Sequence, residues 1–327
     1  MARSTISAVK RTLPAPLRAR PVGVSARWLA VRKHLLRDRY LLLLFLPPLL
    51  FYLTFHYGPM FGVIIAFKKF NAVAGILGSE WVGLHYFERL VSDPYFWRAV
   101  RNTVLLNIYS LIWSFPAPIV LALALNEVRH GTFKRVTQTV IYLPHFISTV
   151  VVCGIIVNVL AFDGIVNGVL GAFGGESIPF MVEPRWFRPM YISSGIWQNA
   201  GWGSIIFMAA LAGINPELYE AAIVDGASRW EQVRHVSIPG IMPTVVIVLI
   251  LRMGDIIEVG FEKAFLLQNG STYETADVIS TYVYRVGLVG ADFSYATAVN
   301  LFQSAIGLLF VWTANHLSRR LSETSLW

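Results

Sequence analysis

Long apolar stretches dominate this chain, and their length decides what it can fold into. Six of them stand out, at about residues 40–66, 101–125, 139–161, 190–212, 241–263 and 295–316. Each provides roughly the 20 apolar residues that a helix needs to cross the hydrocarbon of a bilayer. They are too long and continuous for the short alternating strands of a membrane β-barrel. The sequence therefore predicts an all-α polytopic membrane protein with six transmembrane helices.

The composition supports this prediction and narrows the possible functions. Hydrophobic residues make up 55% of the chain and charged residues 14%, with a mean hydropathy of +0.58, whereas a soluble domain carries about 25% charged residues. The single cysteine, Cys153, excludes an intramolecular disulfide and a cysteine metal cluster. The sequence contains neither HExxH nor G-x-S-x-G, so it offers no motif for a membrane-embedded enzyme. We therefore expect no catalytic and no metal-binding residues.

The amino-terminal segment carries most of the positive charge. Residues 1–39 contain ten Lys or Arg and one acid, Asp38. A nucleic-acid-binding arm or a mitochondrial transit peptide could have this composition. In a polytopic protein, however, such a segment is typical of a cytoplasmic tail that follows the positive-inside rule. We therefore divide the chain into a basic cytoplasmic tail, residues 1–39, and a membrane domain, residues 40–327.

Loop charge predicts the orientation of the membrane domain. If the amino terminus is cytoplasmic, the cytoplasmic segments contain 17 Lys or Arg and the outer segments contain seven. This excess predicts that both termini lie in the cytoplasm. The polar segment between the fourth and fifth apolar runs then also faces the cytoplasm.

This polar segment, residues 215–243, reads as a pair of short helices. Asn215 is a favourable N-cap for the first helix. Ser228 and Glu231 have the spacing of a capping box and begin a second helix. Proline disfavours helix in the residue before it, so we expect the second helix to end at Pro239. A polar helix pair between two membrane spans is available to contact another protein.

The residue order of the segment resembles a known signature. Glu220-Ala221-Ala222 is followed after three residues by Gly226 and after nine more by Val236-Ser237-Ile238-Pro239. This order is similar to the EAA signature of binding-protein-dependent ABC import permeases, except that Val236 and Ile238 replace the signature's Ile and Leu. Asp225-Gly226-Ala227 matches the version found in sugar permeases. The resemblance extends over residues 40–327.

The resemblance implies a fold, a site and a set of partners. The expected fold is that of a type I ABC importer, with residues 215–239 as a coupling loop that docks on a cytoplasmic ATPase subunit. The chain would be half of a permease dimer in the lipid of a bacterial inner membrane, served by two ATPases and a periplasmic solute-binding protein. It would bind no nucleic acid and no cofactor itself, since ATP and Mg²⁺ belong to the partner subunits. The residues implied in coupling are Glu220, Ala221, Ala222, Asp225, Gly226, Ala227 and Pro239.

Polar residues within the apolar runs are candidates for the substrate pathway. A charge inside the membrane normally faces water or the interior of the bundle, and amides and aromatic rings can contact sugars. The same residues could instead be structural, as an Arg–Asp pair in the fifth run or as amides that bridge helices. The pathway candidates are Gln198, Asn199, Trp202, Arg252, Asp255 and Glu258.

The sequence constrains the substrate less than the transport mechanism. Overall likeness suggests an importer of oligosaccharides, including acidic ones such as alginate fragments. The carboxylates at Asp255 and Glu258 oppose an anionic substrate unless Arg252 or a second subunit compensates for them. Import of peptides or amino acids is the alternative within the family. A secondary transporter or channel is a more distant alternative, because it would need ionisable residues deep in several runs.

Overall fold

The computed structural model describes residues 38–254 and 259–321, and most of them are helical. The described residues up to Phe61 form one compact unit, and those from Gly62 onward form a second. The first unit consists of α1 (Arg39–Tyr52), a π-helical turn (Leu53–Tyr57) and α2 (Gly58–Met60). Pro47 and Pro48 lie inside α1, and every large apolar side chain of α1 is exposed. Such a helix needs lipid or protein around it.

The second unit contains fifteen α-helices and one small sheet among its described residues. Strands β1 (Lys68–Lys69) and β2 (Glu80–Trp81) pair antiparallel, with Lys68 opposite Trp81. The α-helices are α3 (Gly75–Gly78), α4 (His85–Ser92), α5 (Pro94–Tyr109), α6 (Pro116–Asn126), α7 (Gly131–Tyr142), α8 (Thr149–Val159), α9 (Ile165–Ala172), α10 (Pro184–Ala212), α11 (Pro216–Val224), α12 (Arg229–Gln232), α13 (Ile238–Gly254), α14 (Phe261–Leu267), α15 (Tyr273–Ala276), α16 (Ile279–Val283) and α17 (Phe293–Leu321). Further π or 3₁₀ turns are Phe61–Phe67, Ser110–Ser114, Leu143–Phe146, Val233–Ser237 and Tyr284–Val289.

The predicted all-α membrane architecture is confirmed, whereas the predicted number of six spans is not. Among the described residues, four continuous helical runs are long and apolar enough to cross a membrane: Arg39–Phe67, Pro94–Glu127, Arg229–Met253 and Phe293–Phe310. A bent pair of helices would make a fifth. The fourth predicted span lies in α10, which has 29 residues but is less apolar than these runs because of its amides and glycines.

The third predicted span, residues 139–161, is wrong as a single straight helix. The helical run Gly131–Phe146 and helix α8 meet at an angle of 99°. Pro144 lies in the 3₁₀ turn at the break, and Ile147 is extended. The Ser148 side chain accepts a hydrogen bond from the Val151 N–H and so begins a new helix. An apolar sequence alone does not reveal this cap as a break.

The fifth predicted span, residues 241–263, is also displaced. The helical run begins at Arg229 and passes through Pro239, so the prediction that Pro239 ends a helix is wrong. A π-helical turn directly precedes the proline, with the Ile238 N–H bonded to the Val233 oxygen, and such local adjustments let helices accommodate proline. Helix α13 is described as far as Gly254, and the last residue of the predicted span, Lys263, belongs to α14, which begins after the non-helical Gly260.

Helix α10 is the centre of the second unit. One apolar core joins it to α6 and α13 through Ala122, Phe207 and Ile241. A second core joins it to α5, α8 and α14 through residues that include Leu106, Cys153 and Phe187. The polar residues of α10 are therefore held between several helices.

A glycine allows the closest approach to α10. A Cβ atom added at Gly201 would overlap the backbone carbonyl of Ile141 in α7. Small residues at helix interfaces let backbones approach closely in membrane proteins. Gly201 is therefore required by packing, unlike Gly154 in α8, where an added Cβ would meet nothing within 4 Å.

We expect Gly201→Ala to destabilise the protein by about 1–3 kcal/mol, because overpacking forces the helices apart. The Gly154→Ala control should leave stability unchanged or slightly higher, because alanine favours helix. The midpoint of thermal unfolding of each variant in detergent measures the difference. Equal midpoints for the two variants would contradict the close contact between α7 and α10.

A buried carboxylate fixes the segment after α15 to α5. Asp277 has no exposed surface. Its two oxygens accept hydrogen bonds from Arg285 at 2.6 and 3.0 Å, and Arg98 lies 3.4 Å away. The hydroxyl of Thr281 donates to the same carboxylate at 3.0 Å. The hydrogen bonds between Arg285 and the Asp277 carboxylate raise the pKa of Arg285, as expected for a guanidinium paired with a carboxylate.

Candidate functional site

The polar helix pair consists of α11, a turn and α12, and its caps are those that the sequence predicts. The Asn215 side chain accepts from the Glu217 N–H at 3.1 Å and caps α11. At α12, Ser228 and Glu231 form the reciprocal bonds of a capping box. Hydrogen bonds from the Ser228 hydroxyl and N–H lower the pKa of Glu231. Both helices therefore begin where the sequence fixes them.

The turn between the two helices depends on Gly226. Its φ is +79°, in the left-handed region. The Gly226 N–H donates to the Ile223 oxygen at 3.0 Å, and the Ala227 N–H donates to the Ala222 oxygen at 2.9 Å. These two bonds are the Schellman arrangement that ends many helices, usually at glycine. Gly226 thus sets the angle at which α12 leaves α11.

The residues predicted to couple to an ATPase form one continuous segment at the surface. Glu220, Ala221, Asp225 and Gly226 are exposed, and Ala222 and Ala227 are half-buried. Pro239 is exposed too, but it stands on the next helix, α13. The segment is anchored by the Tyr219 hydroxyl, 2.9 Å from the Ser237 hydroxyl.

The sequence prediction missed the apolar part of this surface. Val224 is 87% exposed, Trp230 is 69% exposed, and Leu218 and Ile223 are also exposed. Helical spacing would place Trp230 on the same face as Val233 and Ser237, but those two residues are buried. The π-helical turn that begins at Val233 changes the helical register. Four exposed large apolar side chains on a polar helix pair are typical of a protein-binding surface.

A cavity of about 840 Å³ lies beside α10. Three of the predicted pathway residues line it: Gln198, Asn199 and Arg252. Trp202 does not line it but stacks on the His145 ring, which does, with centroids 4.7 Å apart. The two remaining candidates, Asp255 and Glu258, lie outside the described residues. The volume is in the range of ligand-binding cavities.

The two amides line the cavity and also connect α10 to the bend before α8. Gln198 donates from Nε2 to the Ile147 oxygen at 3.1 Å, directly at the bend before α8. Asn199 places Oδ1 3.1 Å from Nδ1 of His145. The bend and the cavity wall are therefore held by the same polar contacts.

Two parts of the cavity lining were not predicted. Asn107, Ser110 and Ser114 line it from the second apolar run. Their spacing of three and four residues is a signal that a search for polar helix faces could have found. Lys263 also lines it, from α14, and its Nζ donates to the Tyr191 oxygen at 2.8 Å. Within residues 38–254 and 259–321 no cluster of side chains could hold a metal ion.

Comparison with known proteins identifies the family. Residues 114–323 match the model of the family described as binding-protein-dependent transport system inner membrane component. The chain is 45% identical over 294 residues to the polygalacturonan/rhamnogalacturonan transport system permease protein YteP of Bacillus subtilis (strain 168), covering 90% of this chain and 92% of YteP.

Two solved structures are similar over 90% of this chain and 99% of theirs, each with 44% identity. One is a bacterial ABC transporter involved in the import of the acidic polysaccharide alginate, with a TM-score of 0.84. The other is a bacterial alginate ABC transporter in complex with an alginate pentasaccharide-bound periplasmic protein, with a TM-score of 0.83. This chain belongs to the family of binding-protein-dependent transport system inner membrane components, as a transport permease subunit.

Proposed function

We propose that this chain forms half of the translocation pathway of an ATP-driven importer of oligosaccharides, including acidic ones. The single observation that carries the proposal is the exposed helix pair with its Glu220-Ala221-Ala222 and Gly226 pattern. A transporter driven by an ion gradient has no need of such a docking surface. The similarity to permeases of polygalacturonan and alginate transport supports acidic oligosaccharides as the substrate class.

The proposed assembly has three kinds of protein partner. Two cytoplasmic ATPase subunits bind the helix pairs, and ATP with Mg²⁺ binds to them and not to this chain. A periplasmic solute-binding protein delivers the oligosaccharide, as the complex with a loaded periplasmic protein suggests for the alginate transporter. A second permease, different from this one, completes the pathway. We propose that the second permease contacts this chain at the exposed apolar groove beside α6, where Trp113 and Val120 lie.

The proposed orientation follows from loop charge. Both termini are placed in the cytoplasm, with residues 1–39 as a basic cytoplasmic tail and residues 40–327 as the membrane domain. The helix pair and the loop between α6 and α7 then face the ATPases. The segment between α8 and α10 and the Asp277 segment face the periplasm.

The mechanism uses the contacts of α10 and α13. When the ATPases close on ATP, they move the helix pair, and α12 transmits the movement because it continues without a break into α13. Arg252 in the last turn of α13 lines the cavity. A movement of the helix pair therefore reaches the cavity wall through one rigid element. This movement opens the cavity alternately to the two sides of the membrane.

Uptake by the reconstituted complex tests the proposal. We expect proteoliposomes that contain this chain, its partner permease and the ATPases to take up a galacturonate trisaccharide only with ATP and the loaded binding protein. An uncoupler of ion gradients should not reduce the uptake. Uptake that stops with the uncoupler would indicate a secondary transporter, and uptake of peptides in place of oligosaccharides would indicate the alternative substrate class.

A further inference from the structure

The described charged residues that line the cavity beside α10 are cationic. Arg252 and Lys263 contribute cationic groups to its lining, and His145 contributes an imidazole. None of the described lining residues is Asp or Glu. Glu262, the neighbour of Lys263 in α14, is exposed and is not part of the lining. The described part of this lining attracts anions and repels cations.

Lys263 is the more constrained of the two cations. It is only 9% exposed. Its Nζ donates one hydrogen bond to the Tyr191 oxygen and lies 4.7 Å from the centre of the Tyr191 ring. A lysine ammonium has three donors, so two remain for other groups. Among the described residues no carboxylate lies within ion-pairing distance of it.

An ammonium that is buried without a carboxylate destabilises the protein unless something else compensates for its charge. Water in the cavity can do so while the cavity is empty. A ligand that fills the cavity displaces this water. A neutral ligand would then supply no negative charge to the cation, whereas an anionic ligand would supply one. The lining thus favours anionic over neutral ligands in the filled state.

The remaining polar groups suit an oligosaccharide. Asn107, Ser110 and Ser114 form a polar stripe on one wall, and Asn199 stands on another. Amides and hydroxyls both donate and accept hydrogen bonds, which is what sugar hydroxyls require. Hydroxyl-binding groups and two cations in one cavity match the chemistry of a uronate chain, with one carboxylate on each sugar.

We propose that Lys263 and Arg252 bind the carboxylates of an acidic oligosaccharide in the cavity and so determine the preference for acidic over neutral sugars. This inference rests on the proposed function. It assigns the charge preference to two residues of this chain, separate from the preference of the binding protein. Lys263 is the fixed anchor, because Tyr191 holds it. Arg252, which is exposed at the end of α13, contacts the substrate as that helix moves.

The test compares two substrates with the same sugar chain, one with free carboxylates and one with uncharged methyl esters. The probes are a galacturonate trisaccharide and its fully methyl-esterified form, each preloaded to saturation on the binding protein. Uptake into proteoliposomes is measured per loaded binding protein, so that the binding protein's own affinity does not decide the result. The variants are Lys263→Gln, Arg252→Gln and the charge-conserving Lys263→Arg. The control is Arg185→Gln, which removes an exposed cation outside the cavity.

We expect Lys263→Gln to lower the ratio of acidic to esterified uptake by about tenfold or more, because the loss of a hydrogen bond to a charged group weakens binding by about this factor. Arg252→Gln should lower the ratio by a smaller factor, and Lys263→Arg and Arg185→Gln should keep it. An equal loss of both substrates in Lys263→Gln with retention in Lys263→Arg would show a structural role and overturn the inference. So would an unchanged ratio in every variant.

The wild-type complex separates this inference from the proposed function. If it takes up the acidic trisaccharide and the variants leave the ratio unchanged, only the assignment of the two cations is wrong. If the wild-type complex takes up neither form with ATP and loaded binding protein, the proposed oligosaccharide import is itself wrong, and this inference is wrong with it.

Discussion

Replacement of Asp277 by Ala is expected to destabilise the protein by about 3 kcal/mol, at the low end of the range for breaking a buried ion pair. The carboxylate is fully buried and is shared by Arg285 and Arg98. Its removal leaves two guanidinium groups without their common partner. Because both arginine side chains are about one-third exposed, water compensates for part of the loss.

The matched control for this variant is Glu183→Ala. Glu183 also pairs with an arginine, Arg185, but Arg185 is largely exposed and Glu183, unlike Asp277, is about one-third exposed. An exposed pair contributes about 0–1 kcal/mol, so the control should unfold near the wild-type midpoint. Thermal unfolding of both variants in detergent gives the comparison. If Asp277→Ala unfolds no earlier than Glu183→Ala, the buried carboxylate is not what fixes its segment to α5.

Gly226→Val is expected to reduce the ATPase activity that loaded binding protein stimulates by about tenfold or more. A β-branched residue at a φ of +79° costs roughly 1–3 kcal/mol. Relief of this strain would turn α12 away from its docked position. Gly226→Asn should retain most of the activity, since asparagine tolerates the left-handed region. The two side chains are similar in size, so the comparison separates backbone conformation from bulk.

The signature itself suggests a different reason for this glycine, namely that a partner approaches its backbone closely. In this chain an added Cβ at Gly226 would meet nothing within 4 Å. If Gly226→Asn loses as much activity as Gly226→Val, bulk at the docking surface is the cause. If Gly226→Val is fully active in an assembled complex, neither the turn nor close approach explains the glycine.

The helix pair shows what the sequence could predict. Its caps are local, because Asn215, Ser228 and Glu231 act on backbone groups two or three residues away. The turn at Gly226 is local as well. Such features follow from residue type and spacing alone. The helical nature of the apolar runs follows in the same way from their length.

The cavity shows what the sequence could not predict. Lys263 is 72 residues from its partner Tyr191, and Asn199 is 54 residues from His145. These contacts depend on how the helices pack around α10. The bend before α8 and the continuation of the helix through Pro239 depend on a cap and a π-helical turn. Hydrophobicity shows how apolar a stretch is and not how its backbone turns, so it cannot locate these features.

The central claim is that the helix pair of this permease contacts an ATPase subunit, and photo-crosslinking tests it most directly. A photoreactive phenylalanine analogue is placed at Val224, which is 87% exposed on the helix pair, and in a second protein at Phe173, which is 88% exposed after α9. We predict that, in the assembled complex, the analogue at Val224 crosslinks to an ATPase subunit and the analogue at Phe173 does not. An ATPase crosslink from Phe173, or none from Val224, would contradict the account.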